Sequence, residues 1–203
     1  MVVPLVFTKR KFAGMKIEDF YIDDEHNNKI REYVQKQEFA RGLTAEERAK
    51  FWGLPKGCRM RENAKIICPE NLICGEYVYI GEGALLDASG GLEIGSHTSI
   101  GFNVMLATHT SFMTNIMMDN VPGSKYIERT KTIIGSGCFI AGPSVVYPGV
   151  VMADKTVVLP MTVINKNTEG LCVMGGSPAR LLRKIDDSFI EEQIQKFKAA
   201  GQI

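Results

Sequence analysis

A chain of 203 residues, 45% of them hydrophobic, can bury a substantial core, so one domain with appendages is expected and disorder is not. Lysine plus arginine (24) nearly balances aspartate plus glutamate (23), and the net charge of +1 excludes the basic excess of nucleic-acid or anionic-membrane binders. Five cysteines without C-x-x-C spacing argue against a disulfide framework or zinc knot and for a reduced, cytoplasmic setting, and no apolar run approaches the roughly 18–20 residues that cross a bilayer.

In chain order, "MVVPLVFTKRKF" carries its basic residues after its apolar run, with no small-residue cleavage site beyond, so no signal peptide is read. Residues 1–24 carry no assignable pattern. Residues 26–41 read as a helix with Ile30, Tyr33, Val34 and Ala40 near one face and Gly42 as its stop. Thr44 and Glu47 have capping-box spacing and announce a second, short helix. Residues 1–60 are therefore expected to be an extension plus a helical cap that hides the strand edges of the repetitive region beginning at residue 61.

Residues 61–172 keep a beat of six. In the second half the large apolar position recurs at Ile134, Ile140, Val146, Met152, Val158 and Ile164, while the fifth position of each unit is small or β-branched, from Cys138 to Thr168. The first half is looser: Cys68, Cys74, Ile80 and Leu86, a slip of two residues at "GLE", then Ile94, Ile100 and Leu106. A helix needs spacings of three and four, and a half-buried strand needs sustained alternation; neither fits. Each unit reads instead as a very short strand plus a corner, one bulky residue pointing inward. Pro143, Pro148 and Pro160 fall where a corner needs no ladder donor, and Gly75, Gly81, Gly95, Gly101 and Gly135 suit bends with close backbone approach.

The beat stops between residues 107 and 132, a long unpatterned insertion of the kind that is usually functional, and His109 stands at its first turn. His97 occupies a fourth position in "IGSHTS" without opening a loop and reads as a solvated corner. After the last unit, residues 173–203 form a closing segment, "VMGGSPARLLRKI", and a terminal helix for which Ser188 and Glu191 have capping-box spacing.

The hexapeptides and the stretch "DASGGLEIGSHTSIGFNVMLATHTSF" resemble the hexapeptide-repeat acyltransferases, in particular sugar O-acetyltransferases. The resemblance implies a mainly β fold: a left-handed parallel β-helix with an N-terminal helical cap and a C-terminal helix, its units forming between four and five coils spaced about 4.8 Å apart. It also implies acetyl transfer from acetyl-CoA to a hydroxyl of a sugar or glycan precursor, with His109 as general base, since an imidazole titrating near pH 6.5 suits removal of a hydroxyl proton. Asp87 is the expected orienting group, and Ser89, one coil below His109 once the slip is counted, Asn103 and Tyr126 are expected acceptor contacts.

For the coenzyme, the matching positions are Phe139, Ala141 and Gly142 along the thioester arm, and Lys166, Arg180 and Arg183 at the phosphates, where guanidinium forks and an ammonium are suited donors. The chain departs from the family at Leu159, Pro160 and Met161, where relatives carry a Gly-Ala-Gly-like corner. The resemblance further implies a homotrimer with sites between subunits, and no metal. An amino-sugar N-acetyltransferase or a serine O-acetyltransferase on the same fold is the near alternative. A carbonic anhydrase of this coil type would need three histidines around zinc, and only His26, His97 and His109 exist, the first in the helical region. A non-catalytic scaffold is the remaining possibility.

Overall fold

The structure, a computed structural model, describes residues 21–202. The readings made on residues 1–20, the absent signal peptide and most of the N-terminal extension, lie outside it. The chain divides into two units, residues 1–38 and residues 39–203. Helix α1 (Glu25–Arg41) begins in the first unit. Of its expected apolar face only Ala40 is buried; Ile30 and Val34 are exposed and line a shallow hollow with Tyr21 and Ile22.

The second unit is a parallel β-helix whose strands stack on three faces. One face carries six parallel rungs (Arg59–Met60, Tyr79–Ile80, Ser99–Ile100, Phe139–Ile140, Thr156–Val158, Cys172–Gly175), closed by antiparallel Arg180–Lys184. The second face stacks Lys65–Ile67, Leu85–Asp87, Met105–Leu106, Val145–Val146 and Val163–Ile164; the third stacks Leu72–Cys74, Leu92–Ile94, Thr132–Ile134 and Val151–Met152. Six rungs exceed the four to five coils expected, because the coil starts earlier than the beat shows and Cys172–Gly175 adds a rung after it ends.

All six inward positions from Ile134 to Ile164 are buried, with Cys138, Ser144, Val150, Thr156 and Thr162 beside them at the corners. The first half differs in phase. Register aligns Ile66 with Leu86 and Leu106, and Cys74 with Ile94 and Ile134, so Ile66 is the core residue and Cys68 is not. A second two-residue slip therefore precedes Cys74. It is taken up by Cys68 in a left-handed conformation and the 3-10 turn Pro69–Asn71.

Close backbone approach at the corners is real. A Cβ on Gly101 would lie 2.6 Å from the Ile140 carbonyl oxygen of the next coil. The three prolines all lie outside strands.

Helix α2 (Ala45–Phe51) has the full capping box, Glu47 N–H to Thr44 Oγ1 and Thr44 N–H to Glu47 Oε2, and packs on Arg59–Met60. Helix α3 (Phe112–Ile116) lies within the insertion. Helix α4 (Asp187–Ala199) is capped by Asp186, whose carboxylate accepts from Phe189 N–H at 2.9 Å. The expected Ser188–Glu191 box is thus displaced by the stronger anionic acceptor two residues earlier, to which Ser188 donates. Among the described residues no helix is long and apolar enough to cross a membrane.

Candidate active site

The insertion leaves the coil at a narrow neck, where Thr130 N–H donates to the Thr108 carbonyl at 2.8 Å. Just outside it, His109–Thr110 pairs antiparallel with Glu128–Arg129, Thr110 opposite Glu128 and His109 opposite Arg129. Beneath the neck, Leu86 and Leu106 are stacked partners, which sets the residues after them, Asp87 to Ser89 and Ala107 to His109, one above the other. The side chains meet there. Asp87 Oδ2 lies 2.7 Å from His109 Nδ1, and Ser89 Oγ lies 3.2 Å from the same nitrogen.

Asp87 is 1% exposed. Its Oδ2 also accepts from Thr108 N–H (3.0 Å) and Thr108 Oγ1 (3.1 Å), while Oδ1 accepts from Ser89 N–H (3.0 Å). Burial pushes this carboxyl up, but the hydrogen bonds from Thr108, Ser89 and His109 together outweigh it and hold the pKa down at about 2. The group is therefore an anion at neutral pH. Facing an anion, His109 Nδ1 carries the proton and donates it, which leaves the lone pair on Nε2. Nε2 has no hydrogen-bond partner among the described residues. The half-buried imidazole lines a cleft of about 640 Å³ together with Thr110, Phe112, Glu128, Tyr147 and Pro148. Such an arrangement can accept a proton from a group bound in the cleft and hold the resulting imidazolium against a fixed carboxylate.

A second, more polar hollow of about 500 Å³ lies on the Ser89 side, with Glu70, Arg129 and the Lys131–Glu93 ion pair in its walls. Asn103 and Tyr126 line neither hollow. Asn103 stands exposed on a left-handed corner over Gly83, and Tyr126 is half-buried with its N–H donated to Ser124 Oγ. His97 is an exposed left-handed corner stacked on Tyr77, ring centroids 5.0 Å apart.

The expected coenzyme contacts fare unevenly. The Ala141 N–H donates to the Val158 carbonyl at 2.9 Å, so that amide is spent on the coil within the chain. The buried Gly142 N–H has no partner among the described residues, and a Cβ there would sit 1.6 Å from the Phe102 carbonyl oxygen, so only glycine fits. Gly142 turns onto the second face while His109 leaves that face's far edge; within one chain this amide does not stand beside the imidazole. Phe139 is exposed on the first face.

Lys166 is exposed one coil above Pro148, without a partner among the described residues. Arg180 is exposed, with one N–H given to the Ala179 carbonyl. Arg183 is exposed and rests against α4, 3.3 Å from Glu192 and over the Phe189 ring at 4.6 Å. Sequence reading missed Thr108, whose N–H and hydroxyl fix Asp87; a threonine directly before the histidine was its only signal. Among the described residues no three His, Cys, Asp or Glu side chains converge as a metal-binding set.

No protein-family model matches the sequence. The colanic acid biosynthesis acetyltransferase WcaF of Escherichia coli is 30% identical over 129 residues, 64% of this chain and 67% of its own length. The maltose O-acetyltransferase of Clostridium difficile superposes with a TM-score of 0.64 over 82% of this chain and 92% of that one, at 20% identity. A hexapeptide-repeat acetyltransferase of Vibrio cholerae, solved with acetyl coenzyme A, gives a TM-score of 0.62 over 81% and 92%, at 19% identity. These superpositions identify the coil as a left-handed parallel β-helix.

Proposed function

The chain belongs to the hexapeptide-repeat acetyltransferase family, and from that premise we propose that it transfers an acetyl group from acetyl-CoA to a hydroxyl of a sugar or glycan precursor. The observation that carries the reading is the Asp87–His109 contact of 2.7 Å, which leaves Nε2 as the free lone pair of an imidazole lining the cleft. Colanic acid in the name of one relative and maltose in that of another support a saccharide acceptor. Acetyl coenzyme A bound to a protein of the same fold supports the donor.

In this mechanism Nε2 takes the hydroxyl proton as the oxygen attacks the thioester carbonyl, and the new C–O bond gives a tetrahedral oxyanion. Its collapse breaks the C–S bond, and the imidazolium returns the proton to the departing thiolate, releasing coenzyme A and the acetyl ester. Asp87 stays ionised throughout and stabilises the imidazolium. Lys166 and Arg180, both exposed, are the candidates for the coenzyme's phosphates. The same reading carries a homotrimeric assembly, which sedimentation would check.

His109→Ala should lower turnover by about 10²–10⁴-fold while the coil stays folded, with only a modest drop in melting temperature from the one hydrogen bond lost at Asp87, whose bonds from Thr108 and Ser89 remain. Near-normal turnover in that variant would defeat the mechanism. Sugars, amino sugars and serine offered in parallel with labelled acetyl-CoA should yield label on a sugar oxygen; label only on nitrogen would move the reading to N-acetylation. Calorimetry with acetyl-CoA should show binding, and none would leave a scaffold.

A further inference from the structure

The cleft has two kinds of wall. Met105, Val145, Tyr147 and Pro148 belong to the coil, stacked in register on the second face and its corner, so this wall runs upward toward Lys166. It is largely apolar, and suits the extended arm of a thioester donor. Thr110, Phe112 and Glu128 belong to the insertion and line the rest of the cleft with His109. Within one chain, that leaves the insertion residues to hold the group that accepts the acetyl.

That wall carries one formal charge. Glu128 stands directly opposite Thr110 in the two-residue ladder, where directly paired positions hold their Cβ atoms about 4.5–5.5 Å apart, and it lines the same cleft as His109. Its carboxylate has no hydrogen-bond or ion-pair partner among the described residues, whereas nearby Glu93 is taken by Lys131. Of the residues lining the cleft, Glu128 is the one carboxylate, and no lysine or arginine is among them. The basic residue beside it, Arg129, lines the separate hollow on the Ser89 side.

We propose that Glu128 is the specificity-determining residue for the acceptor: its carboxylate accepts hydrogen bonds from hydroxyls flanking the reactive one, with the sugar ring against Phe112, and it selects uncharged sugars over sugar acids. An ionised carboxylate accepts hydrogen bonds from two adjacent hydroxyls, and such charge-assisted bonds are stronger than neutral ones. A carboxylated acceptor would instead set two anions together in a half-enclosed cleft with no lysine or arginine in its lining to separate them. This inference rests on the acetyl-transfer reading above.

The test uses the full-length protein, labelled acetyl-CoA and matched pairs of acceptors that differ only at C6: the methyl glycosides of glucose and galactose and of the corresponding uronic acids. The wild type should acetylate the neutral member of a pair with kcat/KM at least about tenfold higher. Glu128→Gln should raise the neutral acceptor's KM by about tenfold or more, leave kcat within about threefold and the acetyl-CoA KM unchanged, and shrink the preference. Glu128→Lys should reverse it. Circular dichroism and melting temperature should match the wild type, since the residue is exposed on a loop strand.

An unchanged acceptor KM in Glu128→Gln would overturn the inference while leaving acetyl transfer intact. Uronic acids winning in the wild type would also overturn it and move acceptor recognition to Arg129. No label on any of these glycosides, with label still appearing on another hydroxyl compound, would overturn it as well. Failure of the underlying reading looks different, since His109→Ala would then leave turnover unaltered.

Discussion

Asp87 joins stability to chemistry through one carboxylate. Buried at 1% exposure and held ionised by Thr108, Ser89 and His109, it has a folded pKa of about 2, below the value near 3.9 of an unfolded aspartate. That difference sets the sign of the pH dependence. A depressed carboxylate stabilises the fold fully above about pH 4, and that contribution drains away as pH falls through the folded value. Nearly two units correspond to about 2.5 kcal/mol. Asp87→Asn should therefore be less stable than the wild type by about 2 kcal/mol at pH 7, with the gap in urea midpoints closing between pH 4 and pH 2; a gap independent of pH would show that the carboxylate is not the group concerned. The same variant should lose about 10²–10⁴-fold in turnover, because an amide can hold the wrong imidazole tautomer and cannot stabilise an imidazolium.

At the scale of elements, the cap depends on one buried cation. Arg48 of α2 is 2% exposed and donates to the carbonyls of Ala40 (2.8 Å), Arg41 (3.2 Å) and Met60 (2.7 Å), and also to that of Leu43. It satisfies acceptors at the end of α1 and ties α2 to the first rung. Arg48→Met keeps the packed stem but strands several buried carbonyls, and should cost about 3 kcal/mol in chemical denaturation. Acetyl transfer at low temperature should be untouched, because Arg48 contacts nothing in the cleft.

Nothing in "TAEERAKFW" marks Arg48 as buried, since a charge in a capped amphipathic helix reads as solvent-facing. The beat from Ile134 to Ile164 was legible because one inward residue per corner leaves a period that neither helix nor plain strand produces. The slip before Cys74 was not. Cys68 lies six residues before Cys74 and is apolar enough to continue the count, while the true core residue, Ile66, sits eight before; only the left-handed turn at Cys68 distinguishes them. The pairing of Asp87 and Ser89 with His109 was reachable because the slip at "GLE" was counted. The ladder bond of the Ala141 amide and the seat of Arg183 against α4 were not, because ladder bonds and helix docking are long-range choices that local residue types do not encode.

The unit of residues 39–203 is a stack in which each coil touches mainly its neighbours, so its stability is roughly a sum of coil and interface terms. The insertion contributes little to that sum. Its two ends meet at the Thr130–Thr108 hydrogen bond, the strands before and after it hold their register with coils on both sides, and Phe112, Ile116, Met117, Met118 and Val121 within it are all exposed. Replacing residues 109–129 with a single glycine should keep the far-ultraviolet spectrum of the coil and a melting temperature within a few degrees of the wild type, since shortening a loop whose ends already touch lowers its closure entropy. Acetyl transfer should vanish with the imidazole and the insertion wall, although acetyl-CoA binding measured by calorimetry should persist, weakened, on the coil-borne wall that leads to Lys166. A variant that failed to fold would mean that the insertion props the coil open. One that folded but bound no acetyl-CoA would mean that the donor, and not only the acceptor, is gripped by the break in the repeat.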